Sequence, residues 1–353
     1  MNLEQRIHSL SQFQIFLNEF LNLNFQEDTD LHFPQSFYLE LEKITETAVH
    51  HNGWFVKENV LYALSQWKDC LSQENLLNWI TPYQLKDKIE EKQIGIIMAG
   101  NIPMVGFHDL ISVLISGHHA LVKLSSNDDQ LIPFFIKLLI HISPEFNNRI
   151  TLIKQKLEHF DAVIATGSNN TARYFEYYFG KKPHIIRKNR TSVAVLTGKE
   201  SEKDLESLGE DVLRYFGMGC RNVSKLFIPK DFDLDRFFKG VFPFQDVINR
   251  HKYQNNYDYH KAIFLMNQDP IIENGFLILK EDQGYHSPIG TLFYERYNDL
   301  NTIQNRLKED TEKLQCVVGR NIFESEIQFG ETQKPALNQY ADGIDTINFL
   351  KNL

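Results

Sequence analysis

The chain has 353 residues and a formal net charge of −9, and its sequence pI is about 5.8. Length favours two domains, and the acidic net charge argues against broad binding to a nucleic-acid backbone, which wants a basic face. The three cysteines are widely spaced and form no CxxC pair, so we expect free thiols, no metal site and a cytoplasmic location. No apolar run approaches the roughly 20 residues that a membrane span needs.

Residues 1–90 have the three- and four-residue apolar spacing that is typical of helices. The pattern predicts three helical stretches, LEQRIHSLSQFQIFLNEFLN, FYLELEKITETAVHH and VKENVLYALSQWKDCL. We interpret this part as a helical N-terminal region. Docking of a partner and covering of a substrate tunnel are equally compatible with it.

From residue 92, short apolar runs alternate with helical stretches. The runs that predict strands are KQIGIIMAG, HALVKLSS, FDAVIATGS and TSVAVLTG. The stretches that predict helices between them are HDLISVLISG, DQLIPFFIKLLIHI and TARYFEYYFG. Such alternation is typical of a parallel sheet, which binds ligands at the carboxyl ends of its strands.

A second alternating segment follows Cys220. The predicted strands are VSKLFIP, HKAIFLMN, GFLILKED, TLFYERY and QCVVG, and the predicted helices include LDRFFKGVF and DLNTIQNRLKEDTEKL. We interpret this segment as a second α/β domain. The tail, FGETQKPALNQYADGIDTINFL, is rich in turn formers, and we expect it to pack back on the first domain.

Two strand ends carry groups that can hold a cofactor. Thr166-Gly167-Ser168 lies between a strand and a helix, whose N-terminal N–H groups suit a pyrophosphate; an ordinary capped turn is the alternative. Lys123 ends another strand and can hold a ribose hydroxyl or a phosphate. A solvent-exposed lysine at a strand end is the alternative there.

Two further residues can carry chemistry. Asn101 follows a strand, and its amide can cap the next helix or donate to a developing oxyanion. Cys220 follows Gly217 and Gly219 in YFGMGCRNVSKLFIP. Ordering glycines on folding costs backbone entropy, so their place beside a thiol calls for a reason. A thiolate here can act as a nucleophile, whereas a buried cysteine is inert. The glycines favour the nucleophile.

Taken in order, these stretches resemble the aldehyde dehydrogenase superfamily and, within it, the LuxC-like acyl-CoA reductases. The resemblance covers roughly residues 90–353, and KNRTSVAVLTG and the closing tail are more specific to the LuxC-like branch. The matching motifs are Asn101-Ile-Pro103, Lys123-Leu-Ser125, Thr166-Gly167-Ser168 and Gly217-Met-Gly-Cys220.

The resemblance implies an α/β, aldehyde dehydrogenase-like fold with two parallel-sheet α/β domains and a helical N-terminal region. The implied division is a helical region at 1–90, a dinucleotide-binding domain at 91–198, a catalytic domain carrying the nucleophilic cysteine at 199–328, and a C-terminal segment at 329–353 that returns to the first domain.

The resemblance also implies an acyl-CoA reductase that forms an acyl-cysteine on Cys220 and reduces it with NADPH to an aldehyde. Asn101 would stabilise the oxyanion, and Gly217 and Gly219 would leave room beside the sulfur. We expect a long-chain acyl-CoA as substrate and a homo-oligomer, with an acyl-transferase or synthetase as a further partner. The residues expected to hold the cofactor are Lys123, Ser125, Ser126, Thr166, Gly167 and Ser168.

The alternatives are a CoA-acylating aldehyde dehydrogenase that runs in the oxidative direction and a non-catalytic acyl-binding subunit. Departures from the superfamily pattern bear on this choice. Arg187 stands where hydrolytic relatives have a water-activating Glu, so CoA or a hydride is the expected partner of the acyl-enzyme. Arg187 either favours the Cys220 thiolate or forms an ordinary salt bridge. Ser126 replaces an acidic residue of NAD-using relatives, which favours NADPH, with NADH as the alternative.

Overall fold

The computed structural model describes residues 1–23, 30–167 and 169–353. The chain forms two compact units: unit 1 comprises Met1–Lys188 and Ala336–Leu353, and unit 2 comprises Asn189–Pro335. The divisions thus fall after residues 188 and 335, whereas the sequence predicts them after residues 198 and 328. Among the described residues, no helix combines the length and the apolar character that crossing a bilayer requires.

The N-terminal region is helical, as the apolar spacing predicts, and it belongs to unit 1. Its helices are α1 (Leu3–Asn22), α2 (Gln35–His51), α3 (Lys57–Cys70) and α4 (Gln73–Ile80). Asn2 and Gln5 form a reciprocal capping box that begins α1. The ring of Phe13 on α1 contacts Phe107 and Phe135, at centroid distances of 5.9 and 5.7 Å. Further phenylalanines fill the same core, among them Phe16, Phe37 and Phe134.

The first sheet lies in unit 1 and carries the loops that bear on function. Its elements are β1 (Gln93–Ile97), α5 (Phe107–Ser116), β2 (His119–Lys123), α6 (Leu131–Ile142), β3 (Ile150–Leu152), β4 (Ala162–Thr166), α7 (Asn169–Phe179) and β5 (His184–Arg187). The strand order is β3-β2-β1-β4-β5, and every neighbouring pair is parallel. The carboxyl ends of β2, β1 and β4 are therefore neighbours.

Unit 2 contains the second sheet. Its elements are β6 (Thr191–Val195), α8 (Glu202–Leu213), β7 (Val223–Pro229), α9 (Leu234–Val241), α10 (His251–Met266), β8 (Ile271–Glu273), β9 (Ile278–Glu281), β10 (Thr291–Tyr297), α11 (Leu300–Glu309) and β11 (Leu314–Val318). The strand order is β11-β6-β7-β10-β9-β8, and only the β8–β9 pair is antiparallel. The run TSVAVLTG thus supplies a strand to this sheet and not to the first one.

One predicted strand is wrong, because HKAIFLMN forms the C-terminal part of α10. A short apolar run does not distinguish a strand from a helix by its periodicity. The preceding turns decide the outcome here, since Tyr253, Tyr257 and Phe264 form one buried helical face. Leu265 and Met266 at the end of the run are exposed.

The C-terminal residues from Ala336 onwards return to unit 1 and end in helix α12 (Thr346–Lys351). The Tyr340 hydroxyl accepts a hydrogen bond from Trp79 Nε1 at 2.7 Å, and His108 Nε2 lies 2.9 Å from the carbonyl of Leu337. The start of the tail motif stays in unit 2, where the Gly330 N–H donates to Asp211 at 2.7 Å.

Candidate active site

Three predicted site segments lie together at the carboxyl edge of the first sheet. Asn101 follows β1, Lys123 ends β2, and Thr166 ends β4, and these three strands are direct neighbours. Adjacent strands are about 5 Å apart, so the three segments form one continuous edge. The chain passes from β1 to β2 on one side, while β4 lies on the other. A crevice at such a switch point is where open α/β sheets bind ligands.

Gly100 allows the Asn101 loop to approach the end of β2 closely. A Cβ atom at this position would lie 2.5 Å from the Ser125 hydroxyl oxygen and 2.7 Å from the Ser125 Cβ atom. Such contacts are too short for any side chain, so only glycine fits. The sequence shows the glycine but not the close approach that requires it.

Asp128 holds the other side of the Asn101 loop. Its buried carboxylate accepts the N–H of Met104 at 2.8 Å, and Met104 has a left-handed φ of 58°. Burial raises the pKa of Asp128 to about 6, although hydrogen bonds from the backbone of Met104 and Leu131 oppose the shift. No sequence pattern marks Asp128 as this anchor, because only the fold brings it to the loop.

The helix-capping alternative for Asn101 is wrong. Helix α5 begins at Phe107, and its capping residue is Gly106, which has no side chain to offer. Asn101 is half-buried in the turn ahead of the helix. Its role as an oxyanion donor stays a prediction.

Lys123 lies half-buried at the end of β2. Its ammonium group donates one hydrogen bond to the carbonyl of Gln155 at 2.7 Å. A lysine has three N–H donors, so two are left beyond this bond among the described residues. The Ser125 hydroxyl accepts the N–H of Asn127 at 3.2 Å, and Ser126 is exposed.

Gly167 lies directly before the start of α7, where little space is left for a side chain. An added Cβ atom would lie 3.0 Å from Thr171 Cβ and 3.0 Å from the ring of Phe175. The glycine therefore lets the strand end pack tightly against the first turn of the helix. Ser168, the third residue of the predicted anion site, lies outside the described residues.

Arg187 ends β5 and is buried in unit 1. Its Nη1 atom is 2.5 Å from Asp109 Oδ2, and its Nη2 atom donates to the Thr346 hydroxyl at 3.0 Å. The salt bridge that the sequence offered as an alternative is therefore present, and a role beside the Cys220 thiolate stays a prediction. A guanidinium group cannot act as a general base, so this position does not supply one for hydrolysis.

Cys220 is the exposed cysteine of the chain, whereas Cys316 is buried and Cys70 is half-buried. The buried alternative for Cys220 is therefore wrong, and its role as the nucleophile stays a prediction. Burial raises the pKa of Cys70 to about 11. Burial also raises the pKa of Cys316, with Arg221 partly offsetting the shift. Both thiols are thus held in the protonated, unreactive form at neutral pH.

The segment before Cys220 has a strained backbone. After α8 ends, Tyr215 and Phe216 take left-handed φ values of 52° and 61°, and Gly217 follows at 76°. Left-handed geometry costs about 1–2 kcal/mol for each non-glycine residue, and only glycine adopts it freely. Both aromatic side chains are buried. Strain of this kind is concentrated at functional sites, where the surrounding structure maintains it.

Glu295 lies in β10, and it is held in an ion-pair network. It accepts hydrogen bonds from Lys225 Nζ at 3.0 Å and from Arg306 Nη1 at 2.7 Å. Lys225 is fully buried, so the carboxylate compensates its charge. These contacts account for Glu295 as a structural residue of unit 2.

Two comparisons of the sequence with known proteins gave one match. Residues 71–236 match the model of the family described as Acyl-CoA reductase (LuxC). No curated protein sequence matches the chain.

Solved structures with the same fold are aldehyde dehydrogenases of low sequence identity. Aldehyde dehydrogenase 21 from Physcomitrella patens, in complex with succinate, matches 97% of this chain and 84% of its own at 10% identity and a TM-score of 0.66. The NAD⁺ complex of aldehyde dehydrogenase from Bacillus cereus matches 90% and 72% at 10% identity and a TM-score of 0.60. NADP-dependent glyceraldehyde-3-phosphate dehydrogenase from Bacillus halodurans, complexed with NADP, matches 90% and 74% at 11% identity and a TM-score of 0.59. The predicted aldehyde dehydrogenase-like fold is confirmed.

Proposed function

Because residues 71–236 match the acyl-CoA reductase (LuxC) family and the fold is that of aldehyde dehydrogenases, we propose that this chain reduces acyl-CoA to an aldehyde. Both findings support redox chemistry on acyl-CoA or aldehyde substrates. A covalent route through Cys220, NADPH as the reductant and a long-chain acyl group are the finer parts of the proposal.

The observation that carries the covalent route is the exposed Cys220 thiol on a strained, glycine-containing turn. The Cys220 thiolate attacks the thioester carbonyl and forms a new carbon–sulfur bond. The bond from the acyl carbon to the CoA sulfur breaks, CoA leaves as a thiol after taking up a proton, and an acyl-cysteine remains. We assign the side-chain amide of Asn101 and the Cys220 backbone N–H as donors to the oxyanion.

The residues at the carboxyl edge of the first sheet suit a phosphorylated nicotinamide cofactor. Lys123 has more N–H donors than its one described partner uses, and Ser126 is exposed. Gly167 comes just before the N-terminus of α7, and helix N-termini bind phosphate groups. We propose that these residues, with Ser125 and Thr166, hold NADPH. When bound, NADPH supplies the hydride that takes the acyl group to the aldehyde level. Cys220 then leaves the carbon as a thiolate and the aldehyde is released.

The structural relatives include both an NAD⁺ complex and an NADP complex, so the fold alone does not select the cofactor. The choice of NADPH rests on Lys123 and on the serine at position 126. A carboxylate there would repel a 2′-phosphate, whereas an ammonium group would attract it.

The test of the proposed function is intact-protein mass spectrometry after mixing the protein with acyl-CoAs of increasing chain length and no NADPH. We expect a mass increase of one acyl group, lost on addition of NADPH with release of the aldehyde. The largest yield is expected for a long chain. A protein that gains no acyl mass from any member of the series does not use the proposed route.

The two rival functions are separated by different measurements: turnover rates in the two directions for the oxidative enzyme, and the acyl mass on Cys220 for the non-catalytic subunit. An enzyme whose working direction is oxidative would reduce NADP⁺ faster with aldehyde and CoA than it consumes NADPH with acyl-CoA. Oxidation of the aldehyde to a carboxylic acid would need a base that activates water, and Arg187 cannot act as that base. A non-catalytic acyl-binding subunit would bind acyl-CoA without transferring the acyl group to Cys220.

Replacing Lys123 with alanine is expected to weaken NADPH binding about 10-fold or more, because a charge-assisted hydrogen bond to a phosphate is lost. NADH lacks that phosphate, so its binding should weaken about 3-fold or less. The measurement is titration of the protein with each reduced cofactor, followed by nicotinamide fluorescence. Equal weakening of both would assign Lys123 to the ribose hydroxyls.

The matched control is Lys137→Ala. Lys137 lies in the middle of α6, and its ammonium group is 2.6 Å from the carboxylate of Glu40. This substitution removes one positive charge from the same unit. Equal loss of NADPH affinity in Lys123→Ala and Lys137→Ala would therefore reflect net charge and not contact with the cofactor.

A further inference from the structure

Asn222 lies between Cys220 and the start of β7, and its polar atoms bind the backbone on two sides. The residue is 2% exposed. Its Oδ1 atom accepts the N–H of Gly219 at 2.8 Å, and its own N–H donates to the Gly219 carbonyl at 3.0 Å. Its Nδ2 atom donates to the carbonyl of Asp211 at 3.0 Å and to the carbonyl of Arg214 at 2.8 Å.

These bonds hold both ends of the strained segment. Arg214 precedes the left-handed residues, and Gly219 follows them. The Asp211 carbonyl belongs to the last turn of α8, where carbonyl groups have no partner within the helix. Asn222 therefore caps the C-terminal end of α8 and connects the strained turn to it by hydrogen bonds. A left-handed backbone persists only where its surroundings determine it in this way.

The same contacts fix the peptide groups on either side of the nucleophile. Gly219 is bound by Asn222 at both its N–H and its carbonyl. The carbonyl of Cys220 accepts the hydroxyl of Ser192 at 2.9 Å. The Cys220 side chain is exposed, so its backbone is held while the thiol stays accessible.

We propose that Asn222 is a positioning residue that sets the place of the Cys220 sulfur and the direction of the Cys220 N–H, a role that rests on the proposed function. Asn222 acts through the backbone and touches no substrate. An amide is required because the position needs one acceptor and two donors at once. A carboxylate of the same shape would keep the acceptor, lose both donors and face two carbonyl oxygens.

The test compares Asn222→Asp and Asn222→Ala with the matched control Asn274→Ala. Asn274 also holds a turn of unit 2, because its Oδ1 atom accepts the N–H groups of Phe276 at 3.3 Å and Leu277 at 3.0 Å. The measurement is the rate at which acyl-CoA acylates Cys220 in a single turnover without NADPH.

Both Asn222 variants are expected to acylate about 30-fold more slowly, since a misplaced reacting group loses this order of rate, while the KM for acyl-CoA changes less than about 3-fold. Asn274→Ala should stay within about 2-fold of the wild type. A folded Asn222→Ala protein that acylates at the wild-type rate overturns the proposal, and so does equal slowing by Asn274→Ala.

A milder variant covers the case in which Asn222→Ala does not fold. Ser192→Ala removes the bond to the Cys220 carbonyl, and we expect acylation to slow about 5-fold, the effect of one hydrogen bond. A wild-type acylation rate in Asn222→Asp overturns the proposal, whatever the rate in Ser192→Ala.

Alkylation of Cys220 by iodoacetamide as a function of pH separates this proposal from the proposed function. A protein that accepts no acyl group would refute the proposed function. Asn222 would still be a positioning residue if Asn222→Ala, which adds no charge beside the thiol, alters the alkylation profile and Asn274→Ala does not. An unaltered profile in either Asn222 variant refutes the positioning role.

Discussion

Cys220→Ala is expected to abolish acyl-enzyme formation and to lower aldehyde production by about 10⁴-fold or more, because the nucleophile is lost and nothing replaces it. The substitution removes an exposed side chain from a turn that its backbone contacts maintain, so the fold should persist. NADPH binding should stay within about 2-fold of the wild type. The measurements are intact mass after incubation with acyl-CoA, steady-state turnover and cofactor titration.

The other two cysteines provide the control. Cys316→Ala and Cys70→Ala should retain one acyl group per protein, because burial raises the pKa of both thiols and withholds them from the substrate. Turnover that survives in Cys220→Ala would show that covalent catalysis does not operate. Acyl mass that disappears in Cys316→Ala instead would move the nucleophile to β11.

The strands of both sheets were predictable where apolar runs were bounded by glycine or polar residues. The strands ending at Lys123 and Thr166 are examples. β3 (Ile150–Leu152) and β5 (His184–Arg187) were missed because each is short and has only two apolar residues. The sheet to which a strand belongs was harder to predict from the sequence. Thr191–Val195 follows the first domain in sequence, yet it pairs with β7 and β11, since pairing depends on contacts that are distant in sequence.

The candidate site divides in a similar way. Residues at strand ends, such as Asn101 and Lys123, were predictable because a parallel sheet collects its carboxyl ends at one edge. Residues that hold those loops were not, since Asp128 reaches Met104 and Asn222 reaches Asp211 only in the folded chain. For Asn222 the sequence did carry a weak signal, an amide directly before a strand and close behind the cysteine.

Asn101→Ala is expected to lower kcat for acyl-CoA reduction by about 100-fold or more and to change KM by less than about 3-fold. A neutral amide that donates to the oxyanion strengthens its bond only as negative charge develops, so the loss appears in the transition state and not in substrate binding. Asn101→Asp should be at least as severe, because it removes the donors and adds a charge that repels the oxyanion. The measurement is the rate of Cys220 acylation together with steady-state kinetics.

The matched control for Asn101 is Asn127→Ala, at the exposed end of the neighbouring loop after β2. It removes an exposed amide from the same unit but keeps the Asn127 Cβ atom, which lies beside Gly100, and Asp128 still accepts the N–H of Met104. The Asn127 variant should keep kcat within about 2-fold of the wild type. A raised KM with unchanged kcat in Asn101→Ala would instead assign the amide to substrate binding. Such a result would leave the Cys220 backbone N–H as the oxyanion donor that the proposed mechanism retains.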